Sequence, residues 1–458
     1  MSARRGYILD IPDGVPRQMA VGWLLLALGS LVLGGLMTVL IVLSRTPGIQ
    51  DFMPWIDFFH TAIVVHVDLT VLVWFLAFAG VFWSLSTPHR AEAWGWSALS
   101  LAVIGTLRFA VSPFFGAGDP LMNNYVPVLD DREFLFSLAL AGVGFTALMM
   151  RGAIFSWPRG ALDSDGGVLR VGLYTAILAG LVAVLALAWT CWKLPSWLSG
   201  NLYYEYLFWG SGHVLQFTHT QLMLVGWLWM ATVSGLTLPL PRRLVFALLI
   251  VGFLPVIATP AIYMLHDPHT AENRQAFIEM MRWGGGLATL PLGLAILAAF
   301  VRQRPAGITP EKTALVSSIL LFGVGGVIGF LIHGANVTIP AHYHGSIVAV
   351  TLIFMGVTYH LLPRLGFEQP SRLARWQPIL YGGGQLLHVL GLAWSGGYGV
   401  ARKTAGAAQG LESVEAIAGM AVMGLGGLIS VIGGVLFLVI AIRAMWPMAV
   451  RKSVSAYG

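Results

Sequence analysis

Short polar segments divide the chain into long apolar runs, and those runs set its architecture. Twelve stand out, at 20–43, 58–85, 94–115, 134–150, 171–189, 206–236, 244–266, 281–301, 313–332, 342–362, 378–398 and 414–442. A helix needs about 20 apolar residues to cross the hydrocarbon of a bilayer. The pattern therefore predicts an all-α polytopic membrane protein with twelve transmembrane helices. Connections are short, and no linker, low-complexity segment or soluble insertion interrupts them, so one domain over residues 1–458 is expected. The run opening with "RQMAVGWLLLALGS" is long enough to span and is expected to stay as the first helix rather than to be a cleaved signal.

Composition agrees with this reading. The chain is 57% hydrophobic and 10% charged, with mean hydropathy +0.79; soluble domains carry about 25% charge. Its net charge of +6 raises nucleic acid as a partner. The basic residues instead sit in short loops between apolar runs, where membrane topology explains them and lipid is the partner. Most of the Lys and Arg fall at the two termini and in alternate loops, among them Arg90, Arg151, Arg242, Arg243, Arg302, Arg304, Arg364 and Arg375. The positive-inside rule then puts both termini in the cytoplasm. A single cysteine, Cys191, excludes an internal disulfide, a zinc finger and a cysteine-ligated iron–sulfur cluster.

Histidine carries the chemistry. His66 lies early in the second run, His213 early in the sixth, and His342 and His344 open the tenth, while His266 and His269 close the seventh. With alternating orientations, all six fall at one depth toward the outer face. A single interfacial or packing histidine would be ordinary; six in one layer point to a functional site, because ionisable groups inside membranes usually mark one.

The segment "PAHYHGS" (340–346) adds a geometric constraint. Successive helical residues turn about 100°, so His342 and His344 point roughly 200° apart. They cannot easily share one metal, but they can serve two centres on opposite sides of one helix. Imidazole suits iron, copper and zinc. Two flat macrocycles flanking the helix would satisfy this spacing: a low-spin haem with His66 as the second axial ligand, and a second haem with an open distal face.

Twelve spans, His66, "LFWGSGHVLQF" (207–217) and "AHYHG" (341–345) resemble the catalytic subunit of the haem–copper oxidase superfamily over nearly the whole chain. The resemblance implies that His66 and His344 ligate a low-spin haem, His342 a high-spin haem, and His213 the metal facing it, iron or copper. The haems would be b-type or related. "HGANVTIPAHYHG" (333–345) is also similar to the segment before the haem ligands of nitric oxide reductases. The location implied is a bacterial inner membrane.

The departures from that family bear on the substrate. Oxygen-reducing members carry a tyrosine four residues after the sixth-helix histidine, and well-known nitric oxide reductases a glutamate; here the position is Phe217. Gln216 beside it could orient a group at the metal or simply bond between helices. The adjacent histidine pair expected at the end of the seventh helix is replaced by "YMLHDPHT" (263–270). His266 and His269 are the candidate metal ligands there, with Pro268 between them breaking regular helix. Tyr263, one turn inward, is a candidate redox tyrosine or a packing residue.

Haem propionates need cationic or hydrogen-bonding partners, and Arg402 and Lys403 in the outer loop after the eleventh run are candidates. Arg108 and Asp68, charged inside their runs, each need a partner at that depth. The eighth run carries no lysine midway, and inner-face proton channels are not evident. The chain also lacks a C-x-x-C-H motif, so electrons must come from a cytochrome c or cupredoxin-type subunit or from quinol. The expected function is a terminal oxidoreductase joining two NO into nitrous oxide and water. Oxygen reduction is the alternative, and a haem-binding protein without the second metal is the third reading.

Overall fold

The computed structural model describes residues 6–43, 58–116, 118–158, 164–402, 411 and 413–455. Every apolar run is helical. In chain order the helices are α1 (Val15–Leu43), α2 (Phe58–Val67), α3 (Trp74–Ser86), α4 (Glu92–Val111), α5 (Arg132–Phe155), α6 (Asp165–Lys193) and α7 (Gly200–Val233). Then follow α8 (Arg242–Phe253), α9 (Thr259–Leu265), α10 (Ala271–Gly284), α11 (Gly286–Gln303), α12 (Pro310–Phe330), α13 (Thr338–Arg364), α14 (Gln377–Gly397) and α15 (Val414–Ser455). The only strands among the described residues, β1 (Pro120–Leu121) and β2 (Val128–Leu129), form one antiparallel hairpin between α4 and α5.

Ten helical spans among the described residues are long and apolar enough to cross a membrane. The two expected spans outside that set are α7 and α14. Both are helices of ample length, but they carry His213, Gln216, His219 and Gln221, and Gln385 and His388, along their middles. Polar groups that could do chemistry lower the hydropathy of the helices that hold them.

Local chemistry explains where helices start and break. Asp131, Ser164, Thr270 and Thr309 each accept a hydrogen bond from a backbone N–H in the first turn, as N-caps do. Pro255 and Pro260 split the seventh run into α8, a 3₁₀ turn (Leu254–Ala258) and α9. The second run is interrupted by a π-helical segment, Asp68–Val73, directly after His66. Such segments are frequent at functional sites.

The chain forms two compact units. One comprises Leu9–Leu222 and Phe246–Gly285, the other Met1–Ile8, Met223–Val245 and Gly286–Gly458. In the first, α4 and α5 approach so closely that a Cβ on Gly105 would stand 2.4 Å from the Ala141 nitrogen, and one on Gly144 2.5 Å from the Ala102 nitrogen. In the second, α12 and α13 cross at Gly325 and Gly345, where a Cβ on Gly345 would lie 2.6 Å from the Gly325 Cα. Small residues permit this approach in membranes, where lipid is as apolar as leucine and packing drives association.

Candidate functional site

The histidines singled out above share one arrangement. In the first unit, Nδ1 of His66 donates to the carbonyl oxygen of Gly34 on α1 at 2.9 Å, with the Thr38 hydroxyl 3.1 Å away. Nδ1 of His213 donates to the Trp209 carbonyl, one turn earlier on α7, at 2.8 Å. In the second unit, Nδ1 of His342 donates to the Gly325 carbonyl of α12 at 2.8 Å. The glycine crossing of α12 and α13 brings that carbonyl within reach. A carbonyl only accepts, so each Nδ1 carries the proton and each Nε2 keeps its lone pair. This is the tautomer a metal-ligating histidine needs, with its other nitrogen held by a backbone oxygen.

His344 lies on α13, its ring 5.1 Å from that of Tyr343 and 4.9 Å from that of His388 on α14. His388 in turn donates Nδ1 to the Met423 carbonyl at 3.0 Å. In the loop before α13, Asn336 donates to the His333 carbonyl at 3.0 Å and accepts from the Thr338 amide at 2.9 Å. The same loop pairs with Ala401, which places Arg402 beside it. Lys403 lies outside the described residues.

The surroundings of His213 are the best defined. Its ring is buried among Trp209, Tyr125 and Phe277, with centroids 4.8, 5.0 and 6.0 Å away. The Tyr125 hydroxyl stands 3.0 Å from Nε2 and 2.8 Å from Nδ1 of His213. The hydroxyl thus lies against the ring, nearer the nitrogen committed to Trp209 than the free one. Burial and the negative charge of Glu205 hold the Tyr125 phenol above its usual pKa, with a hydrogen bond from Gln216 working the other way. Tyr125 therefore stays neutral and able to donate. Sequence reasoning missed it, because it sits in a loop 88 positions from His213 and belongs to no ligand spacing.

The other candidates are placed as follows. Tyr263 bonds through its hydroxyl to Thr190 at 2.9 Å and packs 5.3 Å from Phe277 in the same cluster. Phe217 is buried in that cluster with Val256 and Phe277. His266 ends α9, where its carbonyl accepts from Asn273 at 3.2 Å. His269 packs its ring 6.5 Å from Trp197, and its Nδ1 is buried without a hydrogen-bond partner. The described residues contain no cluster of three or more His, Cys, Asp or Glu side chains able to hold a metal. A three-histidine set around His213 is not assembled among the described residues. Arg108 finds its partner in Glu133, through two hydrogen bonds of 2.8 Å. Asp68 is fully buried with both carboxylate oxygens unpartnered.

Comparison with known proteins places these features. Residues 18–450 match the family described as Cytochrome C and Quinol oxidase polypeptide I. An uncharacterized protein of Rickettsia prowazekii is 27% identical, covering 93% of this chain and 96% of its own length. An uncharacterized protein of Aquifex aeolicus is also 27% identical, covering 78% of this chain and 88% of itself. Among solved structures, a heme-copper terminal oxidase dimer shares the fold, with a TM-score of 0.72 at 18% identity, over 95% of this chain and 85% of that one.

Proposed function

The chain belongs to the cytochrome c and quinol oxidase polypeptide I family, and from that premise we propose that this membrane oxidoreductase reduces nitric oxide: two NO, two electrons and two protons yield nitrous oxide and water. In this reading it is a multi-pass protein of a bacterial cytoplasmic membrane. A cytochrome c or cupredoxin-type partner, or quinol, supplies electrons. His66, His342 and His344 are the haem ligands, and His213 is a ligand of a non-haem metal, with His266 and His269 as further candidates. When bound, the haems and the metal supply one-electron steps and a place for the gas. Arg402 and Lys403 offer positive charge to propionates.

The observation that carries the reading is the shared tautomer of His66, His213 and His342. Each ring is held by a backbone carbonyl at Nδ1, which fixes its plane and leaves Nε2 to bind. Orientation is thus set by main chain before any group enters, at little further cost in rotamer entropy.

Phe217 supports NO over oxygen. Splitting O–O without releasing partly reduced oxygen takes four electrons in quick succession, to which a tyrosine commonly contributes one together with a proton. Joining two NO takes two. Phe217 offers no phenol on α7 and is buried in one apolar cluster with Val256 and Phe277.

Oxygen reduction gains one observation of its own, the Tyr125 hydroxyl against His213. Measuring nitrous oxide formation and oxygen uptake on the same purified sample separates the two. The NO reading expects nitrous oxide with slow or no oxygen uptake. Fast oxygen uptake that collapses in Tyr125→Phe or Tyr263→Phe would overturn it.

A further inference from the structure

An imidazole ring turns easily about its bond to Cβ, because that torsion joins a tetrahedral to a planar carbon and its wells are broad. A ring that must meet iron in one plane therefore needs neighbours that stop it turning. His344 on α13 is flanked by two rings. Tyr343 lies 5.1 Å away at 33°. His388 of α14 lies 4.9 Å away at 68°, the edge-to-face arrangement that ring pairs prefer. A neighbour can fix a plane only if it is fixed itself. His388 donates Nδ1 to the Met423 carbonyl of α15 at 3.0 Å. Glycines bring that carbonyl within reach. A Cβ on Gly391 would stand 2.4 Å from the Met423 nitrogen, and one on Gly426 2.3 Å from the His388 nitrogen. Filling the space between these helices would take only an apolar side chain. A polar ring there is costly in an apolar run, and its anchored nitrogen holds it at a set angle.

We infer that His388 is a positioning residue for His344: tied to α15 through Nδ1, it fixes the plane in which His344 meets the low-spin haem. The inference rests on the proposed function, which supplies that haem. Groups behind a ligating histidine orient its ring and tune the bound metal. At His66 that group is the Gly34 carbonyl, bonded to the ligand itself. Beside His344 a carbonyl holds the neighbouring ring, and the ring contact passes the constraint on. When two imidazoles bind one ferric haem, the angle between their planes sets the splitting of the iron d orbitals. That splitting sets the largest g value of the low-spin electron paramagnetic resonance signal, so the plane of His344 has a direct readout.

The test uses the full chain purified with its haems and oxidised, with haem content measured beside the resonance signal. His388→Ala removes the held ring. It should keep the low-spin haem while the largest g value shifts and the line broadens, as His344 samples more than one plane. Gly427→Ala is the finer probe and keeps both histidines. Its Cβ would stand 3.3 Å from Nδ1 of His388, so the ring must give by a few tenths of an ångström. A smaller shift without broadening is expected. Gly424→Ala, whose Cβ would meet nothing within 4 Å, should match wild type. Full low-spin haem with the wild-type g value and width in both His388→Ala and Gly427→Ala overturns the inference alone. Loss of the low-spin haem from Gly427→Ala overturns it too, because a positioning residue turns the ligand without removing it. Wild type without a bis-histidine low-spin signal overturns the haem assignment beneath it, and the inference with it.

Discussion

Gly34 carries no side chain, yet it should decide whether His66 can hold a haem. Its carbonyl accepts from Nδ1 of His66 at 2.9 Å and from the Thr38 hydroxyl at 3.1 Å. A Cβ on Gly34 would lie 2.5 Å from Cγ2 of Thr70 and 3.6 Å from Cβ of Leu69. Carbon atoms sit best at about 3.5–4.0 Å, so roughly 1 Å of movement is needed. Thr70 cannot turn aside cheaply: it is β-branched, and its hydroxyl donates to the His66 carbonyl at 2.7 Å. Relief must come from α1 moving away from the π-helical segment. A similar movement stretches the Nδ1–oxygen distance beyond hydrogen bonding. Overpacking costs about 1–3 kcal/mol, and losing the hydrogen bond behind a ligating histidine typically weakens binding about 10–100-fold. Gly35→Ala is the matched control, because its Cβ would meet nothing within 4 Å and its gain in helix propensity is the same. The assay is haem per protein by pyridine haemochrome, with the low-spin spectrum and its midpoint potential. Gly34→Ala should lose low-spin haem or raise its potential, since imidazole without that hydrogen bond is the poorer donor; Gly35→Ala should match wild type. An unchanged low-spin centre in Gly34→Ala would refute the claim that this carbonyl prepares His66 for iron.

Three further outcomes are expected. His213→Ala should remove the non-haem metal and the turnover while both haems remain, read by metal and haem analysis; loss of the low-spin haem instead would reverse the assignment of sides. Tyr263→Phe removes one buried hydrogen bond, while Thr190 keeps its bond to the Ala186 carbonyl. It should therefore cost about 1 kcal/mol of stability and leave NO reduction largely intact, and a tenfold fall in turnover would make Tyr263 more than a packing residue. Lys312 is buried and donates through Nζ to the carbonyls of Pro305, Ala306 and Gly307. Lys312→Met should leave three carbonyls unpaired and lower the thermal midpoint by several degrees in a detergent melt, with a loss of about 1.5–3 kcal/mol per charged hydrogen bond as the ceiling.

Much of this protein is legible in the order of its residues. In hydrocarbon no water can satisfy a free backbone group, so a long apolar run has to be a helix; all twelve runs are helical. Edges were less legible. The apolar pattern starts the eighth run at 281, but the helix starts at Ala271, where the polar stretch "AENRQ" follows the Thr270 cap. The π-helical turn after His66 has no sequence signal, because it is settled by packing against α1. The candidate histidines stood out because a polar group in an apolar run is costly and spacing along one helix fixes direction. Their tautomers did not, because the carbonyls of Gly34 and Gly325 come from other helices, brought near by glycines whose role appears only once the helices touch. Tyr125 was the least legible. Its hydroxyl meets the ring of His213, and its neighbour Asn124 bonds to Glu205, each across 80 or more positions. Sequence alone determined the helices and the candidate histidines, since both follow from the cost of polar groups in lipid. Only the tertiary structure decided which nitrogen each histidine leaves free and which side chains surround its ring, because hydrogen bonds extend about 3 Å and depend on neighbours in space rather than along the chain.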